Sequence, residues 1–275
     1  MRPASTAAPT FASLSVEARV YITVVVLCGA GLLGVALTHL NLQRPVLFGL
    51  LMVLAVVASS AKIDLPLGRS QSNLSFSHAV NFWSLFALGP APTVCIASAS
   101  AWAQCRLKAS EQNPLHRVAF SVASLAVTVA AAGIPSMVLL PGDGGAGALL
   151  QAVAVVAPLY FLVNTGLVAG AIALSTRQPA VGIWRRNFLW SAPSYLAGGA
   201  LAAVATMATE RGWFGWLALL PVPLYLVFRS YHTVVARLRE EQDQTNRAME
   251  VQLATIEALA LAIEAKAGCT PEHIR

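Results

Sequence analysis

Long stretches without a single Asp, Glu, Lys or Arg constrain this chain more than any other feature. Val20–Gln43, Pro45–Ala61, Ser70–Cys105, Val118–Gly142, Gly144–Thr176, Asn187–Thr209 and Gly212–Phe228 are all charge-free. A helix needs about 20 apolar residues to cross a hydrocarbon core of about 30 Å. The stretch Ser70–Cys105 is too long for one crossing, and Gly89-Pro90 breaks it in the middle. Splitting it there gives about eight spans. No strand-like alternation with regular turns is present, so a β-barrel is not expected. Helices satisfy their own backbone groups in lipid. The expected fold class is therefore all-α: a polytopic membrane helix bundle followed by a long cytosolic helix.

Composition agrees. Apolar residues make up 57% of the 275 residues and charged residues 11%, against roughly 25% charged in an ordinary soluble domain. The net charge of +6 does not point to nucleic acid, because the basic residues flank apolar spans instead of lining a groove. Cys28, Cys95, Cys105 and Cys269 contain no C-x-x-C pair, so neither a disulfide framework nor a zinc site is expected, and buried free thiols are. Val20–Leu40 is too long for a signal-peptide core and no small-residue cleavage site follows it, so it reads as a retained first span. The expected domain organisation is a cytosolic segment over 1–19, a membrane bundle over 20–229, a linker helix over 230–266, and the first turn of a further domain over 267–275.

Orientation follows from the positive-inside rule. With eight alternating spans, one side carries Arg2, Arg19, Lys62, Arg69, Arg106, Lys108, Arg117, Arg177, Arg185 and Arg186, and the other only Arg44 and Arg211. The basic side is the cytosolic one, so both termini face the cytosol of a cell with this protein in its inner (plasma) membrane. Leu74–Leu88 and Ala91–Gln104 are short for full crossings; a re-entrant hairpin would leave the sidedness unchanged. The sequon Asn73-Leu74-Ser75 falls on the cytosolic side and has no glycan role there.

Four polar residues inside the spans are candidates for sensing a ligand. His78 and Asn81 lie three apart, and Tyr160 and Asn164 four apart, so each pair shares a helix face. Polar groups at membrane depth face the bundle interior and find partners. One reading is packing through inter-helix hydrogen bonds; the other is a ligand pocket or, at His78, a protonation switch. Trp184, Trp190, Trp213 and Trp216 near span ends read as interface anchors, and Gly29, Gly34, Gly198 and Gly199 as points of close helix approach. No cofactor is called for, and no metal-ligand cluster lies in the spans.

From Arg229 the composition turns charged. Val235, Leu238, Gln242, Thr245, Met249, Gln252, Ile256, Leu259 and Ile263 form a seam at alternating spacings of three and four, six of the nine apolar. That pattern predicts an imperfect parallel coiled coil and hence a homodimer. A single helix lying on the membrane surface is the alternative, opposed by the acidic cluster Glu240, Glu241 and Asp243.

The tail ends in TIEALALAIEAK over residues 255–266 and then Thr270-Pro271-Glu272-His273. This run resembles the opening of HD-GYP domains, in which an ALALAIEAKD helix leads into a YT-x-GH turn; Ala267, Cys269 and Glu272 stand where that family has Asp, Tyr and Gly. The family's members are metal-dependent phosphohydrolases, typically cyclic di-GMP phosphodiesterases. The resemblance implies that His273 is a candidate metal ligand in a complete domain. The His-Asp dyad and the Gly-Tyr-Pro segment do not occur up to Arg275, so no catalytic or metal site is expected within these residues. A hydrolytic centre needs several ligands around an activated water. The implied role is a membrane input module for a phosphodiesterase, with the lipid bilayer, a second copy of the chain and an unidentified stimulus as partners. A small-molecule transporter, which also uses short broken spans, is the other reading.

Overall fold

The computed structural model describes residues 11–60, 63–65, 72–74, 77–106, 114–140 and 145–212, and in the tail 240, 244, 247, 249–259 and 261–263. Among the described residues from 11 to 212 there are eight α-helices: α1 (Val16–Thr38), α2 (Pro45–Ser60), α3 (Ser77–Leu88), α4 (Pro90–Arg106), α5 (Leu115–Leu139), α6 (Ala146–Thr176), α7 (Ala180–Asn187) and α8 (Ala192–Glu210). The chain divides into two units, residues 1–218 and 219–275. In the second, every described residue between 240 and 263 is helical.

Among the described residues three helices, α1, α5 and α6, are long and apolar enough to cross a membrane. Their 23, 25 and 31 residues correspond to about 35, 38 and 46 Å at 1.5 Å per residue. A fourth candidate is the pair α7–α8, bent by 41° at a short 3-10 turn, Leu189–Ser191. The surface of these helices is that of a protein in lipid. Val20, Val24, Leu27 and Val35 on α1 and Ile134, Met137 and Val138 on α5 are each more than half exposed, an apolar surface that water does not tolerate in such continuity. This is a membrane protein.

The eight-span expectation is met in part. α2, α3 and α4, with 16, 12 and 17 residues, are shorter than a full crossing, and the expected span Gly212–Phe228 lies, but for Gly212, outside the described residues. α3 starts at Ser77, not near Leu74, because Ser72–Leu74 pairs antiparallel with Ile63–Leu65. This two-strand ladder is the one departure from an all-helical fold among the described residues. The break at Gly89 is where the sequence places it: Gly89 takes φ +85°, a conformation open to glycine at no steric cost, and Pro90 opens α4. Thr93 donates to the Gly89 carbonyl at 2.8 Å, and its hydroxyl lies 2.8 Å from that of Ser84 across the turn. α3 and α4 thus form a tight hairpin in the middle of the bundle. Seven consecutive α3 residues, Val80 to Phe86, are buried.

α1 and α5 run one way and α6 the other. Phe11 packs on His116, ring centres 5.5 Å apart, and Ser15 donates to the Leu174 carbonyl. The starts of α1 and α5 and the end of α6 therefore share one end of the bundle. A cavity of about 300 Å³ between His39–Arg44 and Ala87–Pro92 joins the end of α1 to the α3–α4 turn at the other. Tyr195 meets Asn164 and Gly199 faces Val153, so α8 runs against α6 and brings Arg211 to the second end with Arg44. Arg19, Arg106, Arg117, Arg177, Arg185 and Arg186 lie toward the first, at the helix ends grouped with Ser15 and Leu174 or, for α7, packed on Ala169 and Ala173. Within the interior, hydroxyls of Ser124, Thr128, Ser136, Thr206 and Thr209 donate to carbonyls three or four residues back in their own helices, which satisfies them where water is absent.

Two expectations about small residues need correction. Gly29 lets α1 lie against the Ala123 backbone of α5, as expected, but Gly34 faces open space. Cys28 is exposed, while Cys95 and Cys105 are partly buried. A thiol on the lipid face is as well solvated as one in an apolar core, so the sequence does not distinguish the two. Cys269, Trp213, Trp216 and His273 lie outside the described residues.

Candidate functional site

The two residue pairs singled out in the sequence meet in one cluster on α3, α6 and α8. His78 stands in the first turn of α3 and Asn81 one turn later. Tyr160 and Asn164 lie mid-way along α6. Tyr195, from the first turn of α8, joins the pairs. The His78 ring stacks on Tyr195 with centres 4.6 Å apart and planes 19° from parallel. His78 Nε2 lies 3.1 Å from the Ser194 carbonyl oxygen; that oxygen only accepts, so the imidazole carries its proton on Nε2 in this contact. On the other side, Asn164 Nδ2 donates to Tyr195 Oη at 3.0 Å and Asn81 Nδ2 donates to Tyr160 Oη at 2.9 Å.

Close approach of α8 makes this possible. A Cβ at Gly198 would lie 2.7 Å from His78 Cδ2, and one at Gly199 3.1 Å from Val153 on α6. The aromatic shell continues outward: Phe82 stands edge-on to Tyr160 at 4.8 Å, Phe161 to Tyr195 at 5.2 Å, and Trp184 of α7 tilts against Phe161 at 5.7 Å. Trp184 Nε1 also donates to Thr165 Oγ1 at 2.8 Å. Its role is therefore to fasten α7 to α6, beyond the interface anchoring expected of it. Trp190, 43% exposed, keeps the anchoring reading.

Asn81 and Tyr160 are each 1% exposed. The second polar atom of Asn81, Oδ1, has no hydrogen-bond partner among the described residues. A buried amide oxygen left unmatched costs about 1–3 kcal/mol, which leaves this position open to a donor from outside the set described. The chemistry available is hydrogen bonding and stacking. Among the described residues no three of His, Cys, Asp and Glu stand close enough to hold a metal ion, and the cluster contains no carboxylate.

Tyr195 escaped the sequence reading because an aromatic residue near the start of an apolar span looks the same as an interface anchor. The adjacent Gly198 and Gly199, one turn further on, were its only local signal. No known protein family, curated protein or solved structure matches this chain.

Proposed function

We propose that this protein is a membrane input module, with eight passes and both termini cytosolic in the inner membrane, whose helical tail controls an HD-GYP-type phosphohydrolase acting on cyclic di-GMP. The tail carries the reading. Met249, Ile256, Leu259 and Ile263 are helical and between 58% and 68% exposed, at the three-and-four spacing of a coiled-coil seam. Val251, Leu253 and Leu261 are equally exposed, so it is the spacing that singles out the seam. Apolar residues left this open on a helix call for a partner, and a second copy of the same tail would supply one in register. The run that follows resembles the first helix of an HD-GYP domain.

The bundle supplies the input side. The shared direction of α1 and α5, with α3 and α4 as a short central hairpin, is compatible with an even number of passages between Arg69 and Arg106. The unequal distribution of arginine between the two ends supports a cytosolic tail. The cluster of His78, Asn81, Tyr160, Asn164 and Tyr195 ties three helices through directional contacts, so a change at any one of them is felt by the other two. Such a unit suits a shift in helix packing passed to paired tail helices. The short α3–α4 pair is also the feature that favours a transporter, but transport gives no reason for the tail.

Single cysteines test the tail and its side together. In a background with the four native cysteines changed to alanine, Ile256→Cys and Leu259→Cys are expected to form disulfide-linked dimers in native membranes well above Glu250→Cys and Glu257→Cys. Glu257→Cys is expected to resist a membrane-impermeant maleimide in intact cells and to react after permeabilisation. Equal cross-linking at all four positions means there is no seam, and labelling in intact cells puts the tail outside.

A further inference from the structure

We infer that the cleft between the α1–α2 connection and the α3–α4 turn is a binding site for a small organic carboxylate. It has a volume of about 300 Å³, and its polar wall is His39, Asn41, Gln43 and Arg44. That volume is at the small end of the range for small-molecule sites. The wall is rich in donors: the guanidinium offers five N–H groups, each amide two more, and the imidazole at least one. No Asp or Glu lines it. Arg44 is the single formal charge of the lining, and its planar fork matches a carboxylate through two parallel hydrogen bonds. Apolar groups of Leu42, Ala87, Leu88 and Pro92 complete the walls, which accommodates a short hydrocarbon body behind the acid group and concentrates the field of Arg44 at the mouth.

The position of the cleft gives binding a consequence. Its lining includes Ala87 and Leu88, the last residues of α3. The first turns of the same 12-residue helix carry His78 and Asn81. A helix of this length moves as one body, so an occupant that shifts Leu88 shifts both contacts that tie α3 to α8 and α6. The inference takes its signalling sense from the input-module reading, but occupancy of the cleft does not depend on that reading or on the tail.

The test uses the full chain in nanodiscs of phosphatidylcholine, with fluorine NMR of para-fluorobenzoate as the probe and neutral para-fluorobenzamide as its twin. Saturable binding of the acid is expected, with the amide far weaker. Arg44→Gln is expected to weaken the acid by roughly tenfold, the size of one charge-assisted contact. Arg44→Lys should fall between. Arg211→Gln removes a cation at the same end that does not line the cleft, and should leave binding unchanged. Arg44 is exposed in a connection between helices, so these variants should retain the fold; an unchanged thermal transition checks that. Absence of saturation, equal binding of acid and amide, or equal loss in Arg44→Gln and Arg211→Gln would each overturn the assignment. Abolition of binding when phosphatidylglycerol is included would also overturn it, by giving Arg44 to lipid phosphate. None of these outcomes bears on the HD-GYP reading, which stands or falls on the tail.

Discussion

Gly29→Ala is expected to destabilise the bundle by about 1–3 kcal/mol or more, whereas Gly34→Ala, five residues along the same helix, should change stability by no more than roughly 0.5 kcal/mol. Both are glycines in α1 and both gain a methyl group and helix propensity. They differ in what the methyl meets. At Gly29 it overlaps the Cα and carbonyl oxygen of Ala123, which are backbone atoms and cannot rotate away; at Gly34 there is nothing within 4 Å. Relief therefore requires α1 and α5 to separate, which also loosens the Tyr21 contact to the Leu167 carbonyl on α6. Reversible unfolding in mixed micelles with increasing dodecyl sulfate gives both values. Equal effects at the two positions would contradict the α1–α5 packing described here.

The second large effect is expected at the buried pair of Asn81 and Tyr160. Tyr160→Phe removes the oxygen that accepts from Asn81 Nδ2 and leaves both ends of a buried amide unmatched. The expected loss is about 1–3 kcal/mol, more than the net worth of the bond itself, because an orphaned polar group carries its full desolvation cost. Asn81→Leu in the same background removes the orphan. The double variant should thus be more stable than the sum of the single losses implies, and the coupling from a double-mutant cycle should exceed about 0.5 kcal/mol. Additive losses would mean that the two side chains do not meet.

Helix positions were largely legible in the sequence because charge is excluded from lipid almost absolutely, so bare stretches mark apolar helices. The Gly89-Pro90 break was legible for a different reason: a left-handed glycine followed by a residue without an N–H ends one helix and starts another. Which face of each helix turns inward was much less so. Lipid tails and a protein interior are about equally apolar, so burial leaves little periodicity in the apolar residues. That is why Gly29 and Gly34, or Cys28 and Cys95, look alike in sequence and differ in the fold. Polar residues escape this ambiguity, because they are costly on the lipid side, and the four candidates His78, Asn81, Tyr160 and Asn164 do come together. Tyr195, which meets His78, Tyr160 and Asn164, sits 31 residues from Asn164 and 117 from His78 in the chain, a contact that local spacing does not encode. The start of α3 was misread because Ser72–Leu74 is free of charge, as a helix would be, yet pairs with Ile63–Leu65 across the chain.

The link between this bundle and an HD-GYP-type output is tested most directly by the coding DNA that follows codon 275, read in all three frames. A His-Asp dyad followed by a Gly-Tyr-Pro segment, in the same frame or a neighbouring one, is the expected result; DNA with neither motif in any frame would contradict the input-module reading and leave the short α3–α4 hairpin to be explained as part of a transporter.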